Sequence, residues 1–173
     1  MKQGTYEAFP WPLVVVCNLV GLSIYVLGFY VVAGLGLAWG VLYLLYCAWM
    51  EFRVLWTGCR HCAYFGRLCA FGRGKVCSWF FARQSPQAFV ERQISWKDLI
   101  PDFLVTLIPL CAGVIVLIRR FNWGVVLAMC AILLLGSVGT GLVRGCVACR
   151  YCKQREIGCP AERLFSKSPK PNP

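Results

Sequence analysis

The sequence predicts an all-α membrane protein. Four transmembrane helices form two parallel helical-hairpin repeats, each followed by a cytoplasmic cysteine-rich loop, with an interfacial amphipathic segment between the halves. Three observations lead there. Hydrophobic residues make up 59% of the 173 and the mean hydropathy is +0.64, too apolar for a soluble domain of this size. The apolar residues fall into four runs, each long enough as a helix to cross a hydrocarbon core of about 30 Å. A cysteine motif, Cys-Arg-[His/Tyr]-Cys-x6-Cys, follows the second run and recurs after the fourth.

The first repeat covers residues 1–77, with spans expected at about 13–32 and 37–56 and a tight turn at Ala33-Gly34-Leu35-Gly36. The first run exceeds a signal h-region and no small-residue cleavage site follows it, so it reads as a retained span. Its cysteine loop occupies residues 57–77. Residues 78–98 mix aromatic residues with Arg83, Arg92 and Lys97 and contain no spanning run, which predicts an interfacial amphipathic linker broken near Ser85-Pro86. The second repeat covers 99–165, with spans at about 99–118 and 123–142, the connection Arg119-Arg120-Phe121-Asn122 and a cysteine loop at 144–160. Residues 166–173, SKSPKPNP, read as a disordered tail.

Several single residues support these assignments. Trp11, Trp56, Trp96 and Trp123 fall near span ends, where an amphipathic ring gains from being half wet. Asp102 is placed to complement the dipole at the start of the third span. Glu51 is expected to pair with neighbouring Arg53 at the membrane interface. Gly36-x3-Gly40 and Gly141-x3-Gly145 permit close helix packing.

The net charge of +11 is an orientation signal rather than a nucleic-acid footprint, because little soluble surface exists to present a basic face. Residues 51–100 carry eight Lys and Arg, residues 144–173 carry seven, and Lys2 brings that side to sixteen. The opposite side has only Arg119 and Arg120. Both termini and both cysteine loops are therefore expected on the cytoplasmic side of the inner membrane.

The repeat rests on one offset. Cys59 and Cys149, Cys62 and Cys152, and Cys69 and Cys159 each stand ninety positions apart. The same offset lays the first hairpin on the second without a gap, and matches Gly34 with Gly124, Leu37 with Leu127 and Ala38 with Ala128. Units with an even number of spans repeat in parallel, about an axis along the membrane normal. Both loops then emerge on one face, in agreement with the charge count.

Of the twelve cysteines, Cys17, Cys47, Cys111 and Cys130 sit singly in apolar runs and read as small hydrophobic core fillers. The other eight are the candidate metal ligands: Cys59, Cys62, Cys69 and Cys77 in the first loop, and Cys146, Cys149, Cys152 and Cys159 in the second. Cys-x2-Cys brings two thiolates to one turn, and four thiolates suit an iron–sulfur cluster or a tetrahedral zinc. The triple run Cys146-x2-Cys149-x2-Cys152 favours a cluster, since zinc sites more often use two separate pairs. With Cys159-Pro160 it resembles the bacterial ferredoxin run C-x2-C-x2-C-x3-C-P over about 15 residues, although the last spacer here is six. In that pattern the Cys before Pro ligates the other cluster of a pair, so the resemblance implies that the two loops can share ligands.

Arg60, Arg67, Arg73, Arg150 and Arg155 are placed to offset the charge of a four-thiolate site. Tyr64, Phe65, Phe71, Trp79 and Phe80 are placed to limit water access. His61 is the one histidine, but Tyr151 takes its place in the second repeat, which argues against ligation.

The function expected is membrane-associated electron transfer through one or two 4Fe–4S clusters, with the lipid bilayer, membrane or cytosolic redox subunits and quinone as partners. The alternative is a zinc-stabilised structural or assembly module. A quinone-linked dithiol oxidoreductase fits less well, because that chemistry serves the oxidising side of the membrane. No Ser/His/Asp constellation occurs, and Gly72-Arg73-Gly74-Lys75 lacks the strand–helix context of a phosphate loop. An electron-transfer subunit rather than an enzyme with its own substrate is the reading.

Overall fold

A computed structural model describes residues 4–91 and 96–159, without the side chains of Ala88, Trp96 and Lys97. The expected tail at 166–173, Pro160 and Arg92, and the belt position of Trp96, lie outside the described residues. Among them every element is helical, apart from one isolated β-bridge between Tyr6 and Cys152.

Helix α1 runs Trp11–Ala33 and α2 runs Leu37–Thr57. Between them Gly36 adopts φ 143°, a backbone conformation that L side chains rarely enter, and this lets the chain reverse in three residues. Two short helices follow, α3 (Arg73–Phe80) and α4 (Pro86–Glu91), then the long α5 (Trp96–Arg119). Helix α6 (Trp123–Leu134) opens on an Asn122 cap, whose side-chain oxygen accepts from the Gly124 N–H at 2.7 Å. The helical run then continues through a π turn (Leu135–Gly139), α7 (Thr140–Leu142) and a second π turn (Val143–Ala148), and α8 (Lys153–Ile157) closes the described chain.

Four helical stretches are long and apolar enough to cross a membrane, and their outer faces explain why. In the most enclosed, only 28% of the most apolar window is buried inside the protein, yet its mean hydropathy is 2.2. Leu19, Leu22, Val26, Leu45, Leu107, Leu127 and Leu134 all point outward. A helix apolar on every side belongs in lipid. Trp11, Trp56 and Trp123 are exposed at helix ends, as amphipathic rings at an interface require.

Helix α1 is the centre of the bundle and packs along α2, α5 and α6, while α2 meets α5 over a shorter stretch. One apolar core joins Val31, Val116, Val125, Ala128 and Ile132, and a second joins Val32, Tyr43, Cys47 and Ala112. Gly40 packs against the Phe29 ring, but Gly141 and Gly145 face open space, so of these glycines Gly40 serves helix packing. Cys17 and Cys47 are buried as expected of core fillers. Cys111 and Cys130 are exposed instead, because on a lipid-facing wall a small hydrophobe needs no protein around it.

Pro109 inside α5 has no N–H to give the carbonyl of Val105 one turn earlier. The Tyr43 hydroxyl of α2 replaces it, donating to Val105 O at 2.9 Å. Gly28 of α1 makes the room, since a Cβ there would stand 2.6 Å from Tyr43 Cζ. Tyr43→Phe is therefore expected to leave a buried carbonyl unpaired and to cost about 2 kcal/mol. Thermal unfolding in detergent measures this, and Gly28→Ala should weaken the same contact from the opposite side.

Two ion pairs replace the one expected. Glu51 does not pair with Arg53. Its Oε1 accepts from Tyr25 Oη of α1 at 2.6 Å and from Arg73 Nη2 of α3 at 2.5 Å. Arg53 instead reaches Asp98 of α5, 3.9 Å away. Residues two apart on a helix point to different sides, so each charge finds its partner on a neighbouring element. Helix α5 also starts earlier than 99, which puts Asp98 rather than Asp102 in its first turn.

Candidate metal centre

The cysteine segments meet at one end of the bundle, and the contact is built from backbone and three side chains. The first segment leaves α2 through a one-turn 3-10 helix, Cys59–His61, in which the Cys62 N–H donates to the Cys59 carbonyl at 3.2 Å. The second leaves its helical run at Cys149, whose N–H still reaches back to Arg144 O at 2.7 Å. Between them lies Gln154, 1% exposed. Its Oε1 accepts from the Ala63 N–H at 2.8 Å and its Nε2 donates to Gly158 O at 3.0 Å. Tyr64 answers from the other side, its hydroxyl accepting from the Lys153 N–H at 3.0 Å. A buried polar set with all members paired fixes one geometry, because any alternative leaves a desolvated group unmade.

The N-terminal residues strap this contact together. Tyr6 N–H donates to Tyr151 O at 3.1 Å, Phe9 N–H to Leu68 O at 2.9 Å, and Tyr64 Oη to Tyr6 O at 2.5 Å. Glu7 bridges both segments, with Oε2 3.3 Å from Arg67 and Oε1 2.9 Å from Lys153. Lys153, by hydrogen bond and charge, and then Arg67 hold the Glu7 carboxyl below its ordinary value of 4.5. A depressed carboxylate stabilises the fold above its ordinary value, and that contribution is lost as pH falls through the lowered one. Glu7→Gln should therefore lower the melting temperature at neutral pH and low salt, and change nothing once the carboxyl is protonated below its lowered value. Melts on either side of pH 4.5, at low and high salt, check this, because exposed pairs are screened.

Three of the eight expected ligands pack together here, with Cys59 and Cys159 within electrostatic reach of them. Cys62, Cys69 and Cys152 pack against one apolar cluster, with Phe9, Tyr64, Ala70 and Ala148 at its core and Phe71 and Tyr151 beside them. Burial pushes the Cys62 thiol up, a direction the nearby Cys69 and Cys159 thiols reinforce and the Tyr64 backbone N–H opposes. The Cys152 thiol is pushed up to about 11, again chiefly by burial, with Cys62 and Cys159 adding and the Gln154 and Arg155 N–H groups opposing. Cys69 Sγ accepts from the Gly74 N–H at 3.4 Å. Cys59 lies within electrostatic reach of Cys69, Cys62 and Cys77 and of the Arg73 guanidinium.

The other three ligand candidates do not pack against this cluster. Cys77 is fully buried on α3, its Sγ donating to Leu55 O at 3.6 Å. Cys146 sits exposed within the second π turn and Cys149 exposed just after it. The expected triple run is thus split, because the fourth helical run extends to Ala148 instead of ending near 142. His61 is half-buried at the end of its 3-10 turn. Of the expected shield, Tyr64 is buried and Phe71 packs in the cluster, but Trp79 and Phe80 are each 70% exposed and shield nothing. Arg60 stacks over the Trp56 ring at 4.4 Å, and of the thiols it is near Cys77.

Among the described residues, no three His, Cys, Asp or Glu groups are gathered around one point as a single metal ion requires. A cluster asks for less convergence, since each thiolate binds a different iron and the sulfurs stand apart. The donors suit such a group: half-buried soft thiols, three of them already supplied with backbone N–H donors. The chain matches no family model, no curated protein and no solved structure.

The residues that weld the segments, Gln154, Tyr64 and the Tyr6–Phe9 strap, carry no motif. One signal for the first two does exist in the repeat, because Tyr64 and Gln154 stand ninety positions apart, directly after the matched Cys-x2-Cys pairs.

Proposed function

We propose that this chain is an integral membrane iron–sulfur protein whose cysteine end carries electrons at the membrane surface. The observation that supports it most is the packing of the half-buried Cys62, Cys69 and Cys152 against one apolar cluster at the end of a four-span bundle. When bound, a cluster supplies one-electron redox chemistry. The chain's own residues would hold it by thiolate, keep water from it with Tyr64, Phe9 and Phe71, and donate N–H hydrogen bonds to the sulfurs, all of which tune potential. Because the Cys62 and Cys152 thiols hold their protons at neutral pH, uptake of the group releases protons and becomes tighter as pH rises.

The charge count supports a cysteine end on the cytoplasmic side of the inner membrane, within reach of a cytosolic or membrane redox subunit and of quinone in the bilayer. The ninety-residue duplication belongs to the same reading, and a reciprocal contact supports it. Ala63 N–H donates to the side chain of Gln154, and Lys153 N–H donates to that of Tyr64. Exchanging the two repeats turns one bond into the other.

Anaerobic purification in detergent, followed by iron, sulfide and zinc analysis with the visible spectrum on one sample, tests the proposal. A brown protein with about four irons and matching sulfide per cluster is the expected result. A colourless zinc protein would leave a structural module, and a metal-free protein whose thiols cycle to disulfides would leave a dithiol relay.

A further inference from the structure

We propose that α3 is an interfacial anchor, whose outward face lies in the leaflet at the cysteine end and meets anionic phospholipid. This rests on the four spans and not on what the cysteines hold.

Helix α3 has its faces reversed for a helix in water. Gly74 and Cys77, one turn apart, share the side that is buried, and the Cys77 thiol donates to Leu55 O of α2 at 3.6 Å. The opposite side carries Val76, Trp79 and Phe80, all exposed and spaced to form one stripe. Only Lys75, at its edge, is charged and exposed. The outward side of a helix in water is polar. Large apolar and aromatic side chains there are what an interfacial helix presents to acyl chains.

Contacts with α2 fix the depth of α3. Arg73, its first residue, pairs with Glu51, which lies about 9 Å along the axis before α2 ends at Thr57. Just past α3, Phe81 packs edge-on against Phe52 and Trp56, with ring centroids 5.6 and 5.3 Å apart. Phe52 and Trp56 are both half exposed on the outer wall of that span. Helix α3 therefore lies beside the last turns of α2 and not beyond them. Its apolar face continues a wall that already belongs in lipid.

The charges around this face match anionic headgroups. No Asp or Glu occurs between Arg73 and Val90. Arg73 is taken by Glu51, but Lys75 and Arg83 stand exposed on either side of the apolar residues. Each cation near a leaflet surface favours anionic lipid. On its buried side α3 donates the Gly74 N–H to Cys69 Sγ, so one short helix ties the first cysteine segment to the membrane. The interfacial element thus begins at Arg73, inside the first cysteine segment, and not at residue 78.

Photolabelling of the full chain tests this. The protein is reconstituted in a bilayer of phosphatidylcholine and phosphatidylglycerol in equal amounts, one of the two carrying a diazirine on its acyl chain. Trypsin cuts after Lys75 and Arg83 and releases residues 76–83, VCSWFFAR, as one peptide. That peptide should carry label, as the spans do, while 61–67, HCAYFGR, from the contact between the segments should carry none. The yield in 76–83 should be severalfold higher when phosphatidylglycerol carries the diazirine. An unlabelled 76–83 beside labelled spans would overturn the anchor and leave this face to a protein partner. Label in 61–67 as strong as in 76–83 would overturn it too, since α3 would then have no contact of its own. Equal yields from the two lipids would overturn the preference for anionic headgroups.

Discussion

Gly74→Ala is expected to dismantle the cysteine end and leave the four-span bundle in place. Gly74 is the second residue of α3, and its backbone lies directly on the first cysteine segment. Its carbonyl accepts from Gly66 N–H at 3.0 Å, and its own N–H donates to Cys69 Sγ at 3.4 Å. A methyl group there would collide with the carbonyl oxygen of Tyr64 and stand 2.7 Å from that of Arg67. These are backbone atoms and no side-chain rotation relieves the clash. Overpacking against fixed backbone lies at the top of the range for single substitutions, so a loss of about 4 kcal/mol is expected. The loss should be local. Tyr64 and Arg67 must shift, and with them go the strap bond to Tyr6, the pairing with Lys153 and the position of Cys69. Two measurements together check this: bound metal per chain, expected to vanish, and helical circular dichroism in detergent, expected to persist. Retained metal would show that the loop tolerates the methyl and that the Gly74 contact is not needed.

The second large effect is expected from Gln154→Leu. Leucine fills a similar volume, so the substitution isolates hydrogen bonding from packing. It leaves the Ala63 N–H and the Gly158 carbonyl without their partner in a buried site. Each desolvated group costs about 1–3 kcal/mol, giving about 3 kcal/mol for the pair. Because Gln154 belongs to one segment and Ala63 to the other, the cost is spent by separating them. Metal affinity should fall together with stability, and protease sensitivity should rise between 58 and 69 and beyond 149. Tyr64→Phe removes the opposite half of the reciprocal contact, and the two substitutions together should cost less than their sum, since either one alone already loosens the same interface. Full additivity would mean that the two bonds act independently and that no cooperative interface joins the repeats.

Much of the molecule was legible from the chain. The four spans, the turn at Gly36 and the break before Pro86 follow from apolar run length and from glycine and proline, which act locally. The charge partners were not legible. Glu51 and Arg53 are neighbours in sequence, but the helix turns them apart, and Arg73 arrives from α3 to take the carboxylate. The end of the fourth run was misplaced for a related reason. Apolar run length ends the span near Leu142, yet the helical run passes Gly139, Gly141 and Gly145 to Ala148 by adopting π turns, as a chain in contact with lipid must keep its backbone bonded.

The sequence by itself determined that this is a four-span apolar bundle with its eight clustered thiols near the span ends. Lipid burial of a helix depends on composition summed over about twenty residues, and no partner has to be known to read it. Only the tertiary structure decided which thiols meet. Spacing offered four thiols in each segment and left open whether they form separate or shared sites. The contact between segments gathers Cys62, Cys69 and Cys152 around one apolar cluster, and leaves Cys77 turned to Leu55 and Cys146 and Cys149 exposed. That choice rests on single buried hydrogen bonds between residues about ninety positions apart, at Gln154 and Tyr64. Such bonds are specified by where two backbones come to lie, and no local pattern encodes that.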